Sequence, residues 1–162
     1  MSLLNRYSKP QLISLVTLRV VIGWYFLYEG LAKVFSPNWT SYGYLMDSEG
    51  AFASIFKEMA MNPTMTQIAD ILNIYGLIVI GLCLIVGAFS KLAKLGAMGL
   101  LAMYYLSHPP LLDVNYILRP EGSYLWIDKN TIAFFALVVL LYFPTSKQIG
   151  LDRYIFKLKK ER

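Results

Sequence analysis

The chain has 162 residues, of which 57% are hydrophobic and 15% charged, with a formal net charge of +5 and a mean hydropathy of +0.51. A soluble domain of this size carries about 25% charged residues, so the composition argues against a water-soluble monomer and excludes disorder and low complexity. One cysteine, Cys83, excludes a disulfide framework and a multi-cysteine metal site; one histidine, His108, excludes a histidine-built metal cage.

In chain order, apolar stretches cover residues 12–35, 71–89, 92–107 and 131–143. A membrane-crossing helix needs about 20 mostly apolar residues. The first two stretches meet that length; the third does so if it starts at Ser90, and the fourth only by recruiting residues 124–130. The expectation is a single all-α domain over residues 1–162, an integral membrane four-helix bundle with spans near 12–35, 70–89, 90–107 and 126–144. No run of short alternating strands suggests a barrel. The first stretch is too long for a signal peptide, contains Arg19 and lacks a small-residue cleavage site, so it reads as an uncleaved helix.

Between the first two spans, Phe52, Ile55, Phe56 and Met59 recur at helical spacing, with Ser54, Lys57 and Glu58 opposite. That pattern predicts a short amphipathic helix lying in the outer interface. Asn62-Pro63 should close it and open the next helix, with Asn as N-cap. His108-Pro109-Pro110 should end the third span, and Asp128 or Asn130 should cap the fourth. Gly23 and Gly30, then Gly76, Cys83 and Gly87, then Gly96 and Gly99, form small-residue faces suited to close helix packing.

Charge gives an orientation. With the N-terminus, the 90–95 region and the C-terminus on one side, that side holds Arg6, Lys9, Lys91, Lys94, Lys147, Arg153, Lys157, Lys159, Lys160 and Arg162 against Asp152 and Glu161, a net +8. The other side holds Lys57, Arg119 and Lys129 against Asp47, Glu49, Glu58, Asp70, Asp113, Glu121 and Asp128, a net −4. The positive-inside rule then puts both termini in the cytoplasm, which requires an even number of spans. The basic tail reads as a surface for anionic lipid rather than for nucleic acid. Trp39, Tyr42, Tyr44, Tyr104, Tyr105, Tyr116, Tyr124 and Trp126 gather toward the outer side, as an interfacial aromatic belt does.

Ionisable residues inside or at the ends of spans are the candidate site. Arg19, Glu29 and Lys33 share a polar, glycine-containing face of the first helix within about 80° of its circumference. Asp70, His108 and Asp128 stand at the outer ends of the other three. Arg19, Glu29, Lys33, Asp70, His108 and Asp128 are therefore the candidate polar pocket, at a depth suited to a quinone head group whose protons a histidine or carboxylate could exchange. The same residues also read as helix caps and salt bridges, and no catalytic residue is assigned. Neither a Gly-rich phosphate loop nor a CxxC occurs, so no cofactor is held by a sequence motif of the chain. Paired helix interruptions expected of a transporter are not seen.

Leu18-Arg19, Gly23, Phe26, Gly30 and Lys33 form an "LR…G…F…G..K" opening. Pro37-Asn38-Trp39-Thr40, Gly50-Ala51-Phe52, the run from Asn73 to Gly81, Lys129-Asn130 and Gly150-Leu151-Asp152-Arg153 follow it in order. Together they resemble the DoxX/DoxD-like membrane proteins over residues 12–155. The resemblance implies a four-helix membrane bundle; with no organelle signal seen, the plasma (inner) membrane is the expected location. One branch, DoxD, is the small subunit of thiosulfate:quinone oxidoreductase, which implies a membrane subunit of a quinone-linked oxidoreductase acting on small sulfur compounds, with quinone, lipid and other subunits as partners. The alternative is a non-catalytic accessory or assembly subunit of a larger complex. The net negative outer side disfavours recruitment of an anion such as thiosulfate.

Overall fold

A computed structural model describes residues 7–110, 116–117 and 125–158, the last three by backbone alone. Arg6, Asp113, Arg119, Glu121, Tyr124, Lys159, Lys160, Glu161, Arg162 and the Lys157 side chain, named above, lie outside what is described. The described residues fold into helices α1 (Lys9–Val34), α2 (Tyr42–Met46), α3 (Ala53–Met61), α4 (Pro63–Ile71), a π-helical stretch (Leu72–Gly76), α5 (Leu77–Val86), α6 (Ser90–Ser107), α7 (Lys129–Tyr142) and α8 (Asp152–Leu158).

α1 begins at a capping box. Ser8 Oγ accepts from Gln11 N, and Gln11 Oε1 accepts from Ser8 N at 2.9 Å. At 26 residues it is about 39 Å long. The second long rod starts earlier than the hydropathy suggests, at Pro63, where Asn62 Oδ1 accepts from the Thr64 and Met65 amides. It runs through α4, the π stretch and α5 to Val86. These two rods are long and apolar enough to cross a membrane. Their apolar surface is largely outward: Val21 and Trp24 are each 58% exposed, as is Val79. A helix in a water-soluble core would hide such residues.

α6 does start at Ser90, so Lys91 and Lys94 sit in its first turns rather than in a connecting turn. α7 is shorter than the 126–144 expectation. Asp128 caps it, fixing its start at Lys129, and 14 residues give only about 21 Å. α3 forms as predicted, but its apolar face is divided. Phe56 and Ala60 are buried with Leu45, while Phe52 and Ile55 remain exposed.

α1 packs along α5, α5 on α6, α6 on α7, and α7 returns to α1. The shared core holds Phe26, Leu77, Leu84, Ala97, Leu101, Leu137 and Leu140, with Cys83 packed at its edge. Lipid tails are as apolar as leucine, so burial inside such a bundle gains little by leaving lipid; close packing must carry the association. Glycine supplies it on α1 as expected: a Cβ at Gly23 would lie 2.9 Å from Ile85 Cγ1 and one at Gly30 2.7 Å from Ile78 Cγ1, both on the second rod. Gly76 and Gly99 face no neighbour within 4 Å among the described residues. Instead Gly81 of α5 seats against Gly23 and Leu27 of α1, and a Cβ there would lie 2.5 Å from the Leu27 amide nitrogen.

The far end of the molecule is closed by the segment 150–152. After α5, Gly87 (φ 70°) and Phe89 (φ 46°) turn the chain through the left-handed region. Leu151 N donates to Val86 O at 3.1 Å and Asp152 N to Gly87 O at 2.9 Å. The Asp152 carboxylate in turn accepts from Phe89 N (2.7 Å) and Ser90 N (3.2 Å), the first donors of α6. Orphan groups at two helix ends are thus satisfied by one short segment. Arg19 lies beside it, donating to Thr145 Oγ1 at 3.0 Å and Ile149 O at 2.9 Å. Lys94 donates to Leu140 O at 2.9 Å. Arg19, Lys94 and Asp152 are all buried.

Candidate functional site

At the opposite end, the helices part around a cavity of about 450 Å³. Glu29 and Lys33 of α1, His108 after α6, and Asp128 and Lys129 at the start of α7 all line it. Four of the six residues anticipated from the sequence therefore converge. Asp70 does not: its Oδ1 accepts from Ser41 N (2.7 Å) and Ser41 Oγ (2.6 Å), and it lines a separate shallow hollow with Thr40 and Tyr42. Arg19 does not either. It shares a helix face with Lys33, but 14 residues of rise separate them by about 21 Å, and it belongs to the buried cluster with Asp152.

Lys33 Nζ lies 3.9 Å from Glu29 Oε2, 5.3 Å from the Trp39 ring centre and 6.0 Å from that of Tyr104. Glu29 Oε1 is 3.8 Å from Lys129 Nζ. One carboxylate thus stands between two ammonium groups, over aromatic faces that also favour cations. Asp128 is committed to its cap, Oδ1 accepting from Thr131 N and Thr131 Oγ1 and Oδ2 from Asn130 Nδ2. For Asp128 the structural reading made from the sequence is sufficient.

The aromatic residues near span ends divide. Tyr42 and Trp126 remain exposed, whereas Trp39, Tyr44 and Tyr104 face into the cavity. Position along the chain is the same for a belt and for a pocket wall, so sequence could not separate them. Asn73 was also missed as a site residue, although an amide inside an apolar stretch is itself a signal. The π stretch changes the helix register there, as such bulges do at functional sites. Asn73 lines the cavity, accepts from the Tyr104 hydroxyl, and donates to Ala69 O at 2.9 Å.

His108 is buried, its ring stacked on Tyr44 at 3.9 Å between centres and 4.8 Å from Tyr116. Nδ1 is 3.1 Å from Ser107 Oγ, and Nε2 is 3.5 Å from Asp47 Oδ2, an ion-pair distance rather than a formed hydrogen bond. The carboxylate favours the tautomer protonated at Nε2, with Nδ1 accepting from the serine. The loop before α3 is fastened over this point: Ser48 Oγ and Glu49 N both donate to Ser107 O, at 2.7 and 3.2 Å. Burial pushes His108 below the ordinary histidine range, opposed by Asp47 and then Glu49. Burial likewise raises the Tyr44 hydroxyl, and it raises Tyr116 too, so both stay protonated.

A histidine depressed in the fold makes stability pH-dependent. The unfolded chain takes up this proton near about pH 6.5, while the folded chain does so only lower. The contribution is complete above pH 6.5 and is lost as the pH falls through that value toward the folded pKa. Thermal midpoints of the detergent-solubilised protein should fall from pH 7 to pH 5, and His108→Gln should flatten that fall. Parallel profiles for the two proteins would show that His108 is not responsible.

The DoxX family model matches residues 14–109, from the first turns of α1 to the end of α6. The chain belongs to the DoxX family. Searches of curated proteins and of solved structures return no match. As a DoxX membrane protein its matched stretch contains Glu29, Lys33, Tyr44, Asn73, Tyr104 and His108, most of the polar and aromatic cavity wall, while α7 with Asp128 and Lys129 lies beyond it.

Proposed function

We propose that this DoxX protein is the membrane subunit of a quinone-linked oxidoreductase of the inner membrane. In this reading α1, the α4–α5 rod, α6 and α7 cross the bilayer, α3 rests in the outer interface, and both termini are cytoplasmic. Electrons arrive from a partner subunit, with small sulfur compounds as the substrate class suggested by the DoxD branch.

One observation carries the reading: an aromatic-walled cavity of about 450 Å³ that holds Lys33 and a buried His108 together. Ligand pockets run about 300–1,000 Å³ and are mostly apolar with a few placed polar groups. A bound quinone head supplies two-electron, two-proton chemistry. Toward it, Lys33 holds a positive charge that is largely withdrawn from solvent, where it acts more strongly than in open water. His108 can give or take a proton within hydrogen-bond reach, with Ser107 and Asp47 fixing its tautomer. Trp39, Tyr44 and Tyr104 provide ring faces.

The test uses the protein in lipid nanodiscs, titrated with a decyl-substituted dimethoxy-methyl-benzoquinone while tryptophan emission is followed. Saturable quenching should occur, vanish in Trp39→Phe, and weaken at least about tenfold, roughly 1.4 kcal/mol, in Lys33→Met. Unsaturable quenching identical in Trp39→Phe, together with no quinone in solvent extracts of the purified protein, would reject the reading in favour of an accessory or assembly subunit.

A further inference from the structure

A residue that lines an interior cavity and is also half exposed stands at the cavity's mouth. Four apolar residues do both: Met65, Ile68 and Leu72, at 45%, 48% and 50% exposure, and Met103, at 44%. The first three follow i, i+3, i+7 spacing and so form one stripe along α4 into the π stretch. Met103 belongs to α6. The residues next to Leu72 and Met103 in the chain are Asn73 and Tyr104, which join the same two elements by the hydrogen bond from the Tyr104 hydroxyl. The polar groups Lys33 and His108 lie inside the cavity, and this stretch of its rim is hydrocarbon and thioether. The rest of the exposed lining is Thr40 and Gly43, around the start of α2, and the charged pair Glu29 and Lys129 on the α1–α7 side. The cavity thus has a polar chamber and an apolar mouth between α4 and α6.

We infer that this mouth is the exit for a flexible hydrocarbon tail, so that the ligand class of the site is a polar ring head carrying a lipid-soluble chain, admitted sideways from the bilayer between α4 and α6. The inference rests on the quinone reading and adds a route and a tail to it. An apolar rim on a passage opening toward lipid costs nothing to leave unpaired, whereas a water-facing entrance would place half-exposed methionine and isoleucine against solvent. Methionine suits the task, because its unbranched thioether side chain adapts to a moving chain. The Asn73–Tyr104 hydrogen bond bounds the mouth on its chamber side and sets how deep the first methylenes of the tail can sit.

The full chain in nanodiscs is photolabelled with a benzoquinone bearing a diazirine on its decyl tail, and labelled residues are mapped by mass spectrometry. Labels should concentrate on Met65, Ile68, Leu72 and Met103 and be displaced by excess tail-free 2,3-dimethoxy-5-methyl-1,4-benzoquinone. Ile68→Gln/Leu72→Gln should weaken the tailed probe at least about fivefold more than it weakens Trp39 quenching by the tail-free probe. Displaceable labels confined to Ile132 and Phe135 of α7, or equal weakening of both probes, would overturn the route while the quinone reading stood. Absence of Trp39 quenching by either probe in the unmodified protein would remove both.

Discussion

Asp152→Ala is expected to leave the protein largely unfolded or aggregated on extraction into mild detergent. The carboxylate accepts from the Phe89 and Ser90 amides, and among the described residues no other hydrogen-bond partner is seen for those two donors. Each buried donor left unpaired costs about 1–3 kcal/mol. Its negative charge also offsets those of the buried cations Arg19 and Lys94. Phe89 also sits in the left-handed region, a conformation that persists only when its surroundings enforce it. A whole chain is marginally stable by about 5–15 kcal/mol, so this one change consumes much of it. Asp152→Asn keeps an acceptor without the charge and should recover part of the loss. Size-exclusion profiles and thermal midpoints of the three proteins check this; a monodisperse Asp152→Ala protein melting with the parent would show that the clasp contributes little.

Gly81→Ala should lower stability by about 3 kcal/mol, at the upper end of what overpacking usually costs. A Cβ at Gly81 meets backbone on every side: Leu27 N at 2.5 Å, Gly23 O at 2.7 Å and Leu27 Cα at 2.8 Å. Backbone cannot swing aside as a side-chain tip does, so α1 and α5 must separate along their contact. Gly99→Ala provides the comparison, since nothing described lies within 4 Å of it. It should be neutral or stabilising by up to about 1 kcal/mol, because alanine is the better helix former. Unfolding in mixed micelles titrated with SDS measures both; equal midpoints for the two variants would contradict the packing argument.

The contrast shows what the sequence can carry. Apolar length located α1 and the start of α6, and local chemistry located the Asn62, Pro63 and Asp128 boundaries, because those signals lie within a few residues of one another. Gly23 and Gly30 of α1 were legible as a packing face, but which glycine of the second rod meets that face depends on how two rods rotate, and Gly81 rather than the stripe through Gly76 and Cys83 does so. Helical phase grouped Arg19 with Lys33, because angle around an axis says nothing of depth along it. Glu29, Lys33, His108 and Asp128 were legible as one group, since each stands at a helix end on a common side. Tyr44, Asn73 and Tyr104 were not. The first two reach the cavity through a folded loop and a π register that composition does not reveal, and Tyr104 reads equally well as belt or wall. Asp152 meets Phe89 across 63 residues of chain, a distance over which no pattern speaks.

The fastening of Val86, Gly87, Phe89 and Ser90 by residues 150–152 also bears on how the molecule comes into being. The α5–α6 corner is translated about 60 residues before the segment that completes it, several seconds earlier at ribosomal speeds of about 5–20 residues per second. Until then its amides and carbonyls, with Arg19 and Lys94 nearby, have no protein counterpart at Asp152. The corner between α5 and α6 is therefore completed only once residues 150–152 have been made and have reached it.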